Sequence, residues 1–175
     1  MSKIISSKLR TKCKKIKLVL TDVDGVLTDG GRYFSSLGEE LKKFHTRDGM
    51  GVNILLRNGI KTCIVTKEKS KIVMNWAKEM NVSKTYSGVI KKELKLNFIC
   101  SDFKVLSSEI AYIGDDVNDL ELLKQVGFSA GPSDSIKQIK DQVDYTCKLS
   151  GGEGAFRELA DFILKIKYPN KTNWY

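Results

Sequence analysis

The chain has 175 residues, 41% of them hydrophobic, and a formal net charge of +9. A chain of this length buries roughly 70% of its unfolded surface. We therefore predict one domain over residues 1–175, with a basic segment over 1–15 and a tail over 168–175. No stretch approaches the roughly 20 apolar residues of a membrane span, and the N-terminus lacks the apolar core of a signal peptide. The sequence predicts a cytoplasmic protein without a membrane partner.

The N-terminus is strongly basic, which raises the question of a nucleic-acid tail. Its cations are Lys3, Lys8, Arg10, Lys12, Lys14, Lys15 and Lys17. No aromatic residue is interleaved with them for base stacking. The pattern favours a solvated basic tail and no nucleic-acid partner.

Cysteines and histidine are too sparse to indicate a zinc site. The cysteines are Cys13, Cys63, Cys100 and Cys147, without a Cys-x-x-Cys pair, and His45 is the single histidine. Reduced thiols are expected.

Apolar runs at 16–20, 60–65, 109–113, 127–130 and 143–146 alternate with amphipathic helical segments. This alternation is typical of α/β proteins with a mainly parallel sheet that is covered by helices on both faces. Ligands of such sheets collect beyond the carboxyl ends of the strands.

Polar residues suited to phosphate or metal follow these runs. In chain order they are Asp22 and Asp24, Thr66, Lys92, and then Asp115, Asp116 and Asp119. Taken singly, each has an ordinary structural explanation: a turn or helix cap, a strand end, or an exposed helical lysine. The three acids at 115–119 repel one another unless a cation is close, so we prefer a metal site.

The segment 30–47 is short and reads as a β-hairpin, with strands at 32–34 and 41–44 and a turn at 35–38. Asp48 is expected to cap a helix over 49–58 that Gly59 ends. His45 is expected to be structural. The glycine-rich segment 151–154 is expected to form a flexible entrance to the site.

In order and type, the four polar blocks resemble motifs I to IV of the haloacid dehalogenase superfamily. Residues 22–30, 47–49 and 151–158 are similar to its small capless branch, which contains phosphatases of 3-deoxy-D-manno-octulosonate 8-phosphate and of nine-carbon ulosonic acid 9-phosphates. The resemblance implies a Rossmann-like fold with a hairpin after the first strand and no cap domain. It also implies a Mg²⁺-dependent phosphatase that forms an aspartyl-phosphate, and a homotetramer with active sites at its subunit interfaces.

The same resemblance assigns roles to individual residues. Asp22 is the nucleophile, and Asp24 transfers the proton of the leaving alcohol. The metal is expected on Asp22, the backbone carbonyl of Asp24, and Asp115. Asp119 is expected to orient Lys92 or metal-bound water. The residues expected to bind substrate are Thr66, Lys92, Arg47, Glu68 and Arg157.

One segment departs from the pattern of the octulosonate phosphatases. They usually read Thr-Gly-Arg where this chain has Thr66, Lys67 and Glu68. Because of this replacement, the sequence does not decide between an eight-carbon and a nine-carbon substrate, although it slightly favours a 9-phosphate. A non-catalytic tetramerisation domain, as found with some CMP-sialate synthetases, is the alternative; the retained motif residues favour catalysis.

Overall fold

A computed structural model of the chain describes residues 6–171, 173 and 174. Its main sheet has six strands in the order β5-β4-β1-β6-β7-β8, and every pairing in it is parallel. The strands of this sheet are β1 (Leu18–Thr21), β4 (Lys61–Val65), β5 (Lys84–Tyr86), β6 (Ile110–Ile113), β7 (Phe128–Gly131) and β8 (Tyr145–Thr146). A separate antiparallel hairpin consists of β2 (Tyr33–Ser35) and β3 (Gly38–Leu41).

Helices cover both faces of the sheet, as the alternating pattern predicts. They are α1 (Ser7–Lys15), α2 (Thr46–Arg57), α3 (Lys71–Glu79), α4 (Leu96–Phe103), α5 (Leu120–Gln125), α6 (Lys137–Gln142) and α7 (Ala155–Lys167). Short 3₁₀ turns at Lys92–Lys95, Ser107–Glu109 and Val117–Asp119 complete the list of elements. The predicted α/β class is confirmed.

Alternate residues of β1 enter two different hydrophobic clusters. Val19 packs in the cluster that contains α2 and α7, whereas Leu18 and Leu20 pack in the cluster that contains α4 and α5. All residues of β1 are buried. This burial on both faces explains why the strand sequence is continuously apolar rather than alternating.

The three central strands end at one level. Thr21 pairs with Ile64 of β4 and with Ile113 of β6. The residues that follow these strands therefore emerge at the same edge of the sheet.

The basic N-terminal segment is not a solvated tail, and that expectation is wrong for the described residues. Residues 7–15 form α1, in which Cys13 is fully buried. Lys12 Nζ lies 2.6 Å from Asp144, and Lys167 Nζ donates to the carbonyl of Ile16 at 2.9 Å. α1 carries a positive net charge, yet it packs against α7. Residues 1–5 lie outside the described part of the chain.

The C-terminal residues pack on the end of α2. Tyr168 Oη donates to the carbonyl of Asn58 at 3.2 Å, and Lys171 Nζ donates to Asn58 Oδ1 at 2.6 Å. Trp174 lies beside Tyr168, with ring centroids 6.5 Å apart.

The hairpin is present, but its second strand begins earlier than expected. Gly38, with φ +111°, allows the chain to turn directly after Leu37, so that β3 starts at residue 38 instead of 41. Among the described residues, the hairpin is the only folded element between β1 and α2, which agrees with the absence of a cap domain.

Within residues 6–171, 173 and 174, no helix is long and apolar enough to cross a membrane. All four cysteines are free thiols.

Candidate active site

A cavity of about 280 Å³ opens at the carboxyl ends of β1, β4 and β6. Its lining residues are Asp22, Asp24, Thr66, Lys67, Glu68, Asp115, Asp116, Val117 and Asn118. Residues predicted from separate blocks of sequence therefore meet in one place.

Lys92 lies buried next to this cavity and contacts Asp22 in its wall. Its side chain is fully buried, and its Nζ lies 2.9 Å from Asp22 Oδ1, 2.6 Å from Asp119 Oδ1 and 3.2 Å from Tyr112 Oη. An ammonium has three N–H donors, so these partners can occupy all of them. A phosphoryl oxygen that binds Lys92 has to replace one of these partners.

Asp119 supports the site from behind. Its Oδ1 accepts from Lys92 and Tyr112, and its Oδ2 accepts from the backbone N–H of Asp115 at 2.9 Å. Both oxygens are thus committed to the protein. This geometry supports the predicted role of orienting Lys92.

Asp22, Asp115 and Asp119 each offer a carboxylate oxygen, and these oxygens lie within 4.8 Å of one another. Burial raises the pKa of Asp22 to about 7 and that of Asp115 to about 8, and repulsion from Asp119 adds to both shifts. Asp115 Oδ1 is buried and accepts no hydrogen bond from the described residues. An unpartnered, crowded carboxylate oxygen is what a cation site requires.

Gly25 keeps Asp115 in this position. A Cβ at residue 25 would lie 2.1 Å from Asp115 Oδ2, and its φ of +85° also disfavours other residues. Residue 25 therefore has to be glycine, because the Asp115 carboxylate lies where any other side chain would begin.

Thr66 follows β4 and is buried at the cavity wall. Its backbone N–H donates to the carbonyl of Tyr86 at 2.9 Å, and its Oγ1 accepts from the N–H of Glu68 at 3.2 Å. Lys67 is not among the described non-glycine residues with positive φ. The lysine that replaces the usual glycine therefore causes no backbone strain.

Asp24 is held by a residue that the sequence did not indicate. Lys42, whose side chain is fully buried, contacts Asp24 Oδ1 and lies 3.0 Å from Glu39 Oε1. In a chain with 30 lysine and arginine residues, no local pattern distinguishes this lysine from its neighbours.

Two of the predicted substrate-binding residues lie elsewhere in the single chain. Arg47 and Arg157 line a separate cavity of about 610 Å³. Arg157 Nε is also paired with Asp161 at 3.0 Å. In the single chain, the structure therefore does not bring them to the cavity that contains Asp22.

The helix cap at α2 differs from expectation. His45 Nδ1, not Asp48, accepts from the N–H of Arg47 at 3.1 Å and caps the helix. Asp48 lies in the first turn, where it is buried and accepts from the N–H of Arg157 at 2.8 Å. The Asp48 carboxylate thus accepts from one of the N–H groups that the first turn of α7 leaves without a partner in the helix. The N-cap residue of α7 makes no side-chain hydrogen bond of its own.

The glycine-rich segment packs against the loop 22–29 that follows β1 and does not form an exposed entrance. Gly151 and Gly152 are buried, and the N–H of Gly152 donates to the carbonyl of Val26 at 3.0 Å. A Cβ at Gly151 would lie 2.0 Å from the carbonyl oxygen of Gly25. Close backbone packing explains the glycines.

A parallel sheet with clustered carboxylates, a buried lysine and a polar cavity at its strand ends indicates an α/β enzyme that acts on a phosphate group with a divalent cation. Comparison with known proteins refines this class. A family of haloacid dehalogenase-like hydrolases matches residues 64–159. The 3-deoxy-D-manno-octulosonate 8-phosphate phosphatase of Escherichia coli is 33% identical over 160 residues, which cover 91% of this chain and 85% of that protein.

Solved structures give the same result. The enzyme from Moraxella catarrhalis, in complex with magnesium ion, phosphate ion and KDO, has a TM-score of 0.87 and 36% identity and covers 90% of this chain and 91% of its own. The cobalt-bound enzyme from Haemophilus influenzae has a TM-score of 0.87 and 35% identity, with 89% and 91% covered. The chain belongs to the haloacid dehalogenase-like hydrolases, in the branch of the octulosonate phosphatases, and is a phosphoric monoester hydrolase.

Proposed function

We propose that the chain is a Mg²⁺-dependent phosphatase of a 3-deoxy-2-ulosonic acid phosphate, with 3-deoxy-D-manno-octulosonate 8-phosphate as the first candidate. The observation that carries the proposal is the meeting of Asp22 and Asp115 beside the buried Lys92 in one cavity. The similarity to octulosonate phosphatases over 91% of the chain supports the substrate class.

The donor set fits Mg²⁺, which prefers carboxylate and carbonyl oxygens. Asp22, Asp115 and the backbone carbonyl of Asp24 would hold it. When bound, the ion supplies positive charge that offsets repulsion between the nucleophile and the phosphate. The unpartnered oxygen of Asp115 is the structural feature that supports this assignment.

In the proposed reaction, Asp22 attacks phosphorus while Asp24 gives a proton to the departing alcohol. Asp24 then takes a proton from the water that hydrolyses the aspartyl-phosphate. The Thr66 hydroxyl donates a hydrogen bond to a phosphoryl oxygen. A preorganised donor of this kind accounts for a factor of roughly 10²–10³ in rate. Lys92 holds the Asp22 carboxylate in place.

Replacing the nucleophile tests the reaction. Asp22→Asn should abolish phosphate release from the sugar-acid phosphate, because an amide does not form the phospho-enzyme. Asp141→Asn, the same change on the exposed face of α6, should keep wild-type activity. Phosphate release is measured with and without Mg²⁺. Turnover by Asp22→Asn, or full activity after removal of divalent cations, would contradict the mechanism.

A second candidate substrate is a nine-carbon ulosonic acid 9-phosphate, because Lys67 and Glu68 stand where octulosonate phosphatases usually have Gly-Arg. Glu68 lines the cavity and can contact the distal part of a sugar acid. The kcat/KM values for the 8-phosphate and the 9-phosphate decide between them. We expect the 8-phosphate to be preferred, and a higher value for the 9-phosphate would reverse the order.

We further propose that residues 1–175 form a single domain and that the enzyme is a homotetramer in which Arg47 and Arg157 act at a neighbouring active site. The exposed apolar side chains of the hairpin support assembly. A non-catalytic assembly role is disfavoured because Asp22, Thr66 and Asp115 are retained around a cavity.

A further inference from the structure

Lys42 lies just after β3, where the hairpin meets the cavity. Its side chain is 0% exposed. Burial of an ammonium strongly destabilises a fold unless the charge is paired. Lys42 contacts Asp24 on one side and Glu39 on the other. The hairpin therefore brings a paired, desolvated cation to the active-site rim.

Glu39 is the second partner of Lys42 and is itself held by two further residues. Glu39 Oε1 accepts from Arg32 Nε at 2.8 Å, and Glu39 Oε2 accepts from Ser70 Oγ at 3.0 Å. Burial opposes ionisation of Glu39, but hydrogen bonds from Arg32, Lys42 and Ser70 lower its pKa overall. Glu39 is thus an ionised anchor that joins the hairpin to the start of α3.

Asp24 is constrained at one oxygen. Among the described residues, the side-chain contacts of Asp24 are made by Oδ1, with Lys42 and, at 3.5 Å, with Thr28 Oγ1. Oδ2 has no such contact, and the side chain is 25% exposed at the cavity. One oxygen is therefore fixed by the protein, and the other is left for the substrate.

We propose that Lys42 is a positioning residue for proton transfer, which it serves by holding Asp24 through Oδ1 so that Oδ2 meets the ester oxygen. The inference rests on the proposed phosphatase function. As the bond from Asp22 to phosphorus forms and the bond from phosphorus to the ester oxygen breaks, the proton of Asp24 moves to that oxygen. Asp24 is left as a carboxylate beside Lys42, ready to accept a proton from the attacking water.

The test compares two phosphate esters that differ in their need for a proton. A sugar-acid phosphate releases a poor alkoxide leaving group, whereas p-nitrophenyl phosphate releases a stable phenolate. In Lys42→Met, kcat/KM for the sugar-acid phosphate should fall by about 10²-fold, the lower end of general-acid contributions. For p-nitrophenyl phosphate it should fall by less than about threefold, because departure of the phenolate needs no general acid.

The matched control is Lys43→Met on the same hairpin. The Lys43 side chain is 51% exposed and pairs with Glu153 at 2.8 Å. The Lys43→Met substitution should leave both kcat/KM values unchanged. An equal loss for the two esters in Lys42→Met, or no loss, would show that Lys42 does not position Asp24.

Glu39→Gln keeps the proposal testable if Lys42→Met does not fold. It removes the anchor of Lys42 and leaves the cavity residues intact, so a smaller loss confined to the sugar-acid phosphate is expected, and an equal loss for both esters would overturn the proposal. If the wild type hydrolyses no sugar-acid phosphate, the proposed substrate is wrong. The comparison is then made with a simple alkyl phosphate, to which the same criterion applies.

Discussion

Among the residues that the structure describes, Lys92 is the one buried ammonium that contacts Asp22 and Asp119, and Asp115 lies beside them. Burial is the largest cause that raises the pKa of both Asp22 and Asp115; repulsion from Asp119 adds to the shift, and the single positive charge of Lys92 opposes it only in part. A divalent cation corrects this imbalance. The requirement for metal thus follows from the charge count of the site as well as from its geometry.

The cost of burying a charged carboxylate, which raises the pKa of Asp22 and Asp115, also raises the pKa of Asp48 outside the site. Burial raises its pKa to about 6, while hydrogen bonds from the backbone of Arg157 and Gly154 and the charge of Arg157 oppose the shift and Glu153 adds to it. Well below pH 3.8, Asp48 is protonated in both the folded and unfolded states. Between about 4 and 6 only the unfolded state releases the proton, so rising pH lowers stability.

Asp48→Asn should remove this dependence, because the amide stays neutral and its oxygen can still accept from Arg157. The stability of the variant relative to wild type should rise between pH 4 and about 7, by on the order of 2–3 kcal/mol. Urea unfolding over this pH range measures the difference. Asp141→Asn, on the surface, serves as the control, and a difference that stays constant with pH would refute the assignment.

At the scale of elements, burial determined what the sequence could predict. The runs that became β1, β4 and β6 are buried over nearly their whole length and mostly apolar because both faces are covered, so their positions were evident. β5 (Lys84–Tyr86) was missed because it is short and has a single buried residue. The charge of α1 concealed its helical packing, since Cys13 is its only buried residue.

The same contrast applies to the candidate site. Asp22 and Thr66 directly follow buried strands, and Asp115 follows one after a single glycine, so sequence order was enough to predict their meeting. Tyr112, inside an apolar strand, looked like an ordinary core residue, yet its hydroxyl donates to Asp119. Lys42 reaches Asp24 only through the fold of the hairpin, a tertiary contact that leaves no local pattern.

At the scale of the whole molecule, the hairpin exposes a group of apolar side chains to solvent. Tyr33, Phe34, Leu37 and Leu41 are 57%, 62%, 92% and 62% exposed. A two-stranded hairpin is at best marginally stable alone, and a cluster of exposed apolar side chains indicates an interaction surface. A second copy of the chain is the partner that fits the proposed tetramer.

Substitution of Phe34 and Leu37 by serine should therefore convert the tetramer to smaller species. Because both side chains are exposed in the single chain, its own free energy of unfolding should change by less than about 0.5 kcal/mol each. Light scattering coupled to size exclusion measures the mass, and Leu106→Ser, at a 68% exposed site away from the hairpin, is the control. If the hairpin also completes each active site, kcat/KM for the sugar-acid phosphate falls together with the mass. A monomeric wild type, or a double variant that remains tetrameric, would exclude the hairpin as the assembly surface.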